Sequence, residues 1–101
     1  MINLNNAIPQ TIGSPKVALF IFSYQMHNRP EQIKSTVLGH VSYWKSQTFE
    51  YYKGGPYADR SGGMIIFTAP GIAEAQSMIE KDPFMKNGIV DTHVLKEWKP
   101  E

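Results

Sequence analysis

Apolar positions along the chain fall into short blocks of two different periods. Lys16 to Tyr24 reads Lys-Val-Ala-Leu-Phe-Ile-Phe-Ser-Tyr, β-branched and aromatic and of strand length. Val17, Leu19 and Ile21 take one face, and Ala18, Phe20 and Phe22 the other, so a central strand covered on both sides is expected. From Arg29 to about Thr48 the period changes, and Ile33, Val37, Val41 and Trp44 form a helical stripe. Pro30 suits the first turn of that helix, and Glu31 its dipole. Gly39 inside it marks an expected close approach by another backbone. Phe49 to Lys53 reads as a short aromatic strand, broken by Gly54-Gly55-Pro56. Gly62-Gly63 then opens the run Met64 to Ala69, which predicts an antiparallel neighbour across a loop of about eight residues. After Pro70-Gly71, the positions Ile72, Ala75 and Ile79 predict the buried stripe of a second helix, to about Lys81. Asp82-Pro83 ends it, and a compact turn through Phe84, which should plug the core, closes at Asn87-Gly88. Ile89 to Trp98 is the last strand. Val90, Val94 and Trp98 share one face, while Asp91, His93, Leu95 and Glu97 give a mixed face that can line a cavity.

The predicted order is β-α-β-β-α-β, the ferredoxin-like α+β arrangement: a four-stranded antiparallel sheet with both helices on one face. Two of its strands are apolar on both sides, and only one side meets helices. The other would be a large exposed patch on a monomer, so two sheets are expected to pack face to face in a homodimer. The 101 residues make one domain. Residues 1–15, with three Asn, two Pro and no sustained period, read as an irregular N-terminal extension, leaving residues 16–101 as the domain.

Composition narrows the function classes. Hydrophobic residues at 42% and charged residues at 19% are globular proportions. Ten Lys and Arg against nine Asp and Glu give +1, without the basic excess of a nucleic-acid binder. The absence of cysteine excludes disulfides, thiolate catalysis and zinc sites built on sulfur. The longest apolar run, Val17 to Phe22, has six residues, against about 20 for a membrane span. The first residues show no basic segment leading an apolar one, so no signal peptide is expected and a cytoplasmic location is the default. Neither glycine pair forms a phosphate loop. His27, His40 and His93 lack close spacing, so no metal is expected, and with no cysteine and no nucleotide loop no cofactor is expected either.

His40 is the most informative single residue. On a helical wheel it lies within about 20° of Ile33 and about 40° of Trp44, in the middle of the buried stripe. A histidine there needs a partner. It is either a core residue bonded to a carbonyl or an acid–base group facing a cavity. Asp59, in the glycine-flanked loop Gly54 to Gly63, is the expected carboxylate partner, although a turn aspartate also bonds its own backbone. A carboxylate on an imidazole fixes the tautomer and raises basicity. Ser61 could orient a ligand, and Trp44 and Tyr57 are expected to line the cavity. Asp82 reads as a helix terminator.

The ordered set His40-Val-Ser-Tyr-Trp44, Gly55-Pro56-Tyr-Ala-Asp59, Ser61-Gly-Gly-Met-Ile-Ile-Phe67 and Asp82-Pro83-Phe84, followed by Gly88 and Trp98, resembles the YCII-related (YciI-like) family. The resemblance covers residues 16 to 98 and implies a dimeric α+β barrel. It also implies an active-site His–Asp pair, mapped to His40 and Asp59. Gly55 and Pro56, in the same stretch as Asp59, are expected beside the ligand. The family is related in fold to muconolactone isomerase, some members are associated with dehydrochlorination of chlorinated hydroxyquinols, and most have no assigned reaction. The expected activity is cofactor-free elimination or isomerisation on a small organic substrate, aromatic ones included, with a non-catalytic ligand-binding or sensing dimer as the alternative. The segment 1–15 extends beyond the family's usual start.

Overall fold

The computed structural model describes residues 16–101, so the expected N-terminal extension lies outside the described residues. Strands β1 (Ala18–Met26), β2 (Tyr52–Pro56), β3 (Gly62–Ala69) and β4 (Val90–Trp98) form one antiparallel sheet in the order β2-β3-β1-β4. Helix α1 (Pro30–Lys45) joins β1 to β2, and α2 (Ile72–Glu80) with the short α3 (Pro83–Lys86) joins β3 to β4. This is the ferredoxin-like α+β fold.

Strand β1 is central because both of its faces can be buried. Phe20 pairs with Phe67 and Phe22 with Ile65, so the four side chains stand on one side of the pleat. That side meets Trp44, Ala75, Ile79 and Phe84 from the helices. Phe20, Phe22 and Phe67 are fully buried, each contributing about 1.5–3 kcal/mol relative to exposure. The opposite face carries Leu19, Ile21, Met64 and Ile66 half-buried, with Val94 and Trp98 exposed on the neighbouring strand.

Several sequence expectations shift. Gly54, Gly55 and Pro56 belong to β2 rather than breaking it. The strand lies at the sheet's edge, where a missing N–H is tolerated. The hairpin loop shortens to residues 57–61. Val37 and Val41 are exposed rather than core, and so is Ile72. Gly39 faces the Pro83 side chain, where a Cβ would sit at an ordinary 3.7 Å, not an approaching backbone. Gly62 does make a close approach: a Cβ there would meet the Tyr24 carbonyl oxygen at 1.8 Å.

Candidate active site

Pro83 opens α3, and a residue before proline is held extended, here with φ −63° and ψ 129° at Asp82. The Asp82 carboxylate thereby caps α3, accepting from the Phe84 backbone N–H at 2.8 Å. It also points into the core, where it is completely buried. His40 and Trp44, one turn apart on α1, meet it there. His40 Nδ1 lies 2.8 and 2.9 Å from the two carboxylate oxygens, and Trp44 Nε1 donates to Oδ2 at 2.8 Å. Three donors converge on one buried charge, which satisfies the cost of burying it.

A carboxylate only accepts, so Nδ1 carries a proton, and in the neutral ring the lone pair is then on Nε2. Nε2 faces Tyr24 Oη at a long 3.4 Å. Burial, with the Asp82 charge as a lesser cause, pushes the Tyr24 phenol far above its ordinary range, so it stays a donor. The His40 ring stacks on Phe84 at 4.1 Å and 14°, which fixes its plane. Tyr24 meets it edge-on at 5.9 Å. Gly63 makes this possible: a Cβ there would lie 2.5 Å from Tyr24 Oη.

His40 and Tyr24 line a cleft of about 770 Å³ between α1 and the β2–β3 hairpin. Ile33, Val37 and Val41 form one wall, and Gly54, Pro56 and Ile65 face them. The stripe that reads as core in the sequence is therefore in part a cleft wall. Among the described residues, no three His, Asp or Glu side chains come together to hold a metal ion.

The structure corrects the partner of His40. Asp59 is exposed in the hairpin loop, and its Oδ1 accepts from the Ser61 N–H at 3.0 Å and the Ser61 hydroxyl at 2.7 Å. These bonds hold its carboxyl below the usual range. No hydrogen bond joins it to His40; the short turn satisfies it two residues away, as Asp does in turns. Ser61, Gly55 and Pro56 do line the cleft. Trp44 does not: it is buried beside Asp82. Tyr57 lies toward the open sheet face near Met64 and Ile66, with its hydroxyl bonded to Ser23. Asp91, His93, Leu95 and Glu97 of β4 line no part of this cleft, whereas His27 does, 3.9 Å from Asp91. The sequence reading missed Asp82 as a site residue. The available signal was its Asp-Pro pair, which predicts a cap but not the direction of the second oxygen.

Fold and site together define a small ferredoxin-like domain with a buried His–Asp pair at the floor of an apolar cleft. The chain belongs to the family of the YCII-related domain, whose model matches residues 17–99. No curated protein matches it. Among solved structures it is similar to the 5-chloro-2-hydroxyhydroquinone dehydrochlorinase TftG from Burkholderia phenoliruptrix AC1100, solved in complex with 2,5-dihydroxybenzoquinone. The identity is 22% and the TM-score 0.68, covering 80% of this chain and 93% of that one. It also resembles SnoaB, a cofactor-independent oxygenase from Streptomyces nogalater, at 11% identity and TM-score 0.52 over 84% of this chain and 93% of that one. A dimeric ferredoxin-like protein of unknown function from Thermobifida fusca matches at 9% identity and TM-score 0.53, over 84% and 92%. At these identities the likeness is one of fold. No helix among the described residues is long and apolar enough to cross a membrane.

Proposed function

We propose that the protein is a cofactor-independent enzyme in which His40 Nε2 is the general base for elimination or isomerisation of a small organic molecule. One observation carries this reading: the buried Asp82 carboxylate accepts from His40 Nδ1, which leaves Nε2 as the basic nitrogen of a neutral ring, and His40 lines the cleft. A bound carbon acid or hydroxyl would pass its proton to Nε2, and Asp82 would stabilise the imidazolium. The electron pair left on the substrate would then expel a leaving group, or be reprotonated elsewhere by His40. Tyr24, held protonated, would donate to the oxygen that gathers negative charge. The dehydrochlorinase with a similar fold, bound to a dihydroxybenzoquinone, supports a ring-sized substrate. The working form would be a homodimer joined through the open sheet face, whose half-exposed Val94 and Trp98 a partner sheet would cover.

The test is turnover of 5-chloro-2-hydroxyhydroquinone and of small unsaturated lactones, followed by chloride release and by exchange of substrate C–H into deuterated water. His40→Gln should lower kcat by about 10²–10⁴, the usual share of a positioned acid–base group. The second reading is a ligand-binding dimer without turnover. The small exposure of His40, 8%, with Tyr24 Oη against Nε2, favours it. Probes that bind but undergo neither chloride loss nor exchange would establish it.

A further inference from the structure

We propose that the cleft selects an organic anion, with the Arg60 guanidinium holding the charged group while the ring lies against the α1 wall. This rests on the cleft being the ligand site and specifies what enters it. The residues lining the cleft include Lys34, Lys45 and Arg60, and no aspartate or glutamate. The chain as a whole carries a net charge of only +1, so this one-sided set is local and not a reflection of composition. Among the described residues, the carboxylates within ion-pair distance are those of Asp82 and Asp91, and both face histidines. The three cations at the cleft therefore lack anionic partners among those residues. Cations gathered on a low-dielectric wall raise the local concentration of anions.

Arg60 is the member whose placement the fold specifies. It has φ 65°, the one positive φ at a non-glycine among the described residues. Glycine is the residue that such a backbone favours. Here a set of bonds holds an arginine in it instead. The Arg60 N–H donates to the Tyr57 carbonyl at 2.9 Å, and the Tyr57 N–H to the Gly62 carbonyl at 2.9 Å. The Asp59 carboxylate clamps Ser61 through its N–H and hydroxyl, and the Ser61 carbonyl accepts from the Met26 N–H at 2.9 Å. Asp59 is thus a positioning residue for the loop that presents Arg60. A guanidinium offers a planar fork that matches a carboxylate or a delocalised enolate. Opposite it, Ile33, Val37 and Val41 suit a flat apolar body. The ligand class is an aromatic or alicyclic carboxylate or enolate.

The experiment compares 2-naphthoate with its neutral isostere 2-naphthamide on nitrogen-15-labelled protein, following the His40 ring signals and the Arg60 Nε–H. The parent should bind naphthoate about tenfold or more tighter than the amide, with both sets of signals moving and the affinity falling as salt rises. Arg60→Gly removes the side chain while keeping the turn's backbone, and it should abolish the preference; Arg60→Lys should retain part of it. Equal affinity for the two compounds with His40 signals moving would overturn anion selection and leave the cleft reading standing. A preference that survives in Arg60→Gly would overturn the role of Arg60. If neither compound moves the His40 signals, the cleft reading falls together with this one.

Discussion

His40 and Trp44, one turn apart on α1, donate to the same buried carboxylate of Asp82 at 2.8 Å each. The arrangement ties α1 to the corner between α2 and α3, so the element that orients the base also closes the core. Removing the carboxylate leaves the His40, Trp44 and Phe84 donors without an acceptor. Asp82→Ala should cost about 3–5 kcal/mol, as breaking a buried pair does, read as a lower urea midpoint. Asp82→Asn separates stability from chemistry. Its NH₂ group would face His40 Nδ1 and turn that nitrogen into an acceptor, moving the proton to Nε2. Nitrogen-15 shifts of the imidazole should report this tautomer switch, with loss of activity in a folded protein. An unchanged tautomer together with parental activity in Asp82→Asn would remove the Asp82 charge from the mechanism.

Trp44 tests whether the second donor positions the first. Trp44→Phe keeps most of the packing against Phe22 and Phe67 but removes the Nε1 donor. The carboxylate then loses one of its three partners, at about 1–3 kcal/mol. With Oδ2 released, the Asp82 side chain can rotate away from the His40 plane, so kcat should fall while KM changes little. A variant that loses stability but keeps parental kcat would confine Trp44 to the core.

The order of elements was legible because the change from period two to 3.6 survives in short blocks, and because Phe20, Phe22, Ile65 and Phe67 are both apolar and aligned. What failed has local physical causes. An edge strand tolerates Gly-Gly-Pro, so those residues conceal β2 as a loop. A cleft wall has the same residue types as a core, so Val37 and Val41 read as buried. His40 was identifiable from its angle to Trp44, but its partner was not. Asp59 and Asp82 both occupy turns, and both bond a backbone N–H two residues on. Only the tertiary packing of α1 against α3 makes one of them a partner of the imidazole.

Gly63 is the glycine whose substitution acts directly on the Tyr24 hydroxyl. Alanine there would place a Cβ 2.5 Å from Tyr24 Oη and 2.8 Å from the Gly55 carbonyl oxygen. The ring must move, which breaks the Tyr24 contact to Nε2, and overpacking of this kind costs about 1–3 kcal/mol. Gly63→Ala should therefore lose both stability and activity. The double variant Gly63→Ala with Tyr24→Phe relieves the hydroxyl clash and should recover part of the stability but not the activity. Full stability in Gly63→Ala alone would mean that the Tyr24 ring is not held where the structure places it.

Alkaline stability reports the state of Tyr24. Burial raises its phenol above the ordinary 10.0, and burial also raises Tyr43 and Tyr52. In the unfolded chain these groups lose their protons near the ordinary value, while the folded chain retains them. Above that value the unfolded state binds fewer protons than the native one, so unfolding free energy falls as pH rises. Their contribution is fully present below it. The urea midpoint should be flat from about pH 7 to 9 with respect to these groups and should decline above about pH 10. Tyr24→Phe should decline less steeply over the alkaline range, with Tyr43 and Tyr52 supplying the remainder. Equal slopes in parent and variant would show that Tyr24 ionises as readily folded as unfolded, and that its surroundings do not hold the phenol proton. If the slopes differ as expected, any acid or base limb of the rate profile near neutrality belongs to another group, because Tyr24 stays protonated throughout.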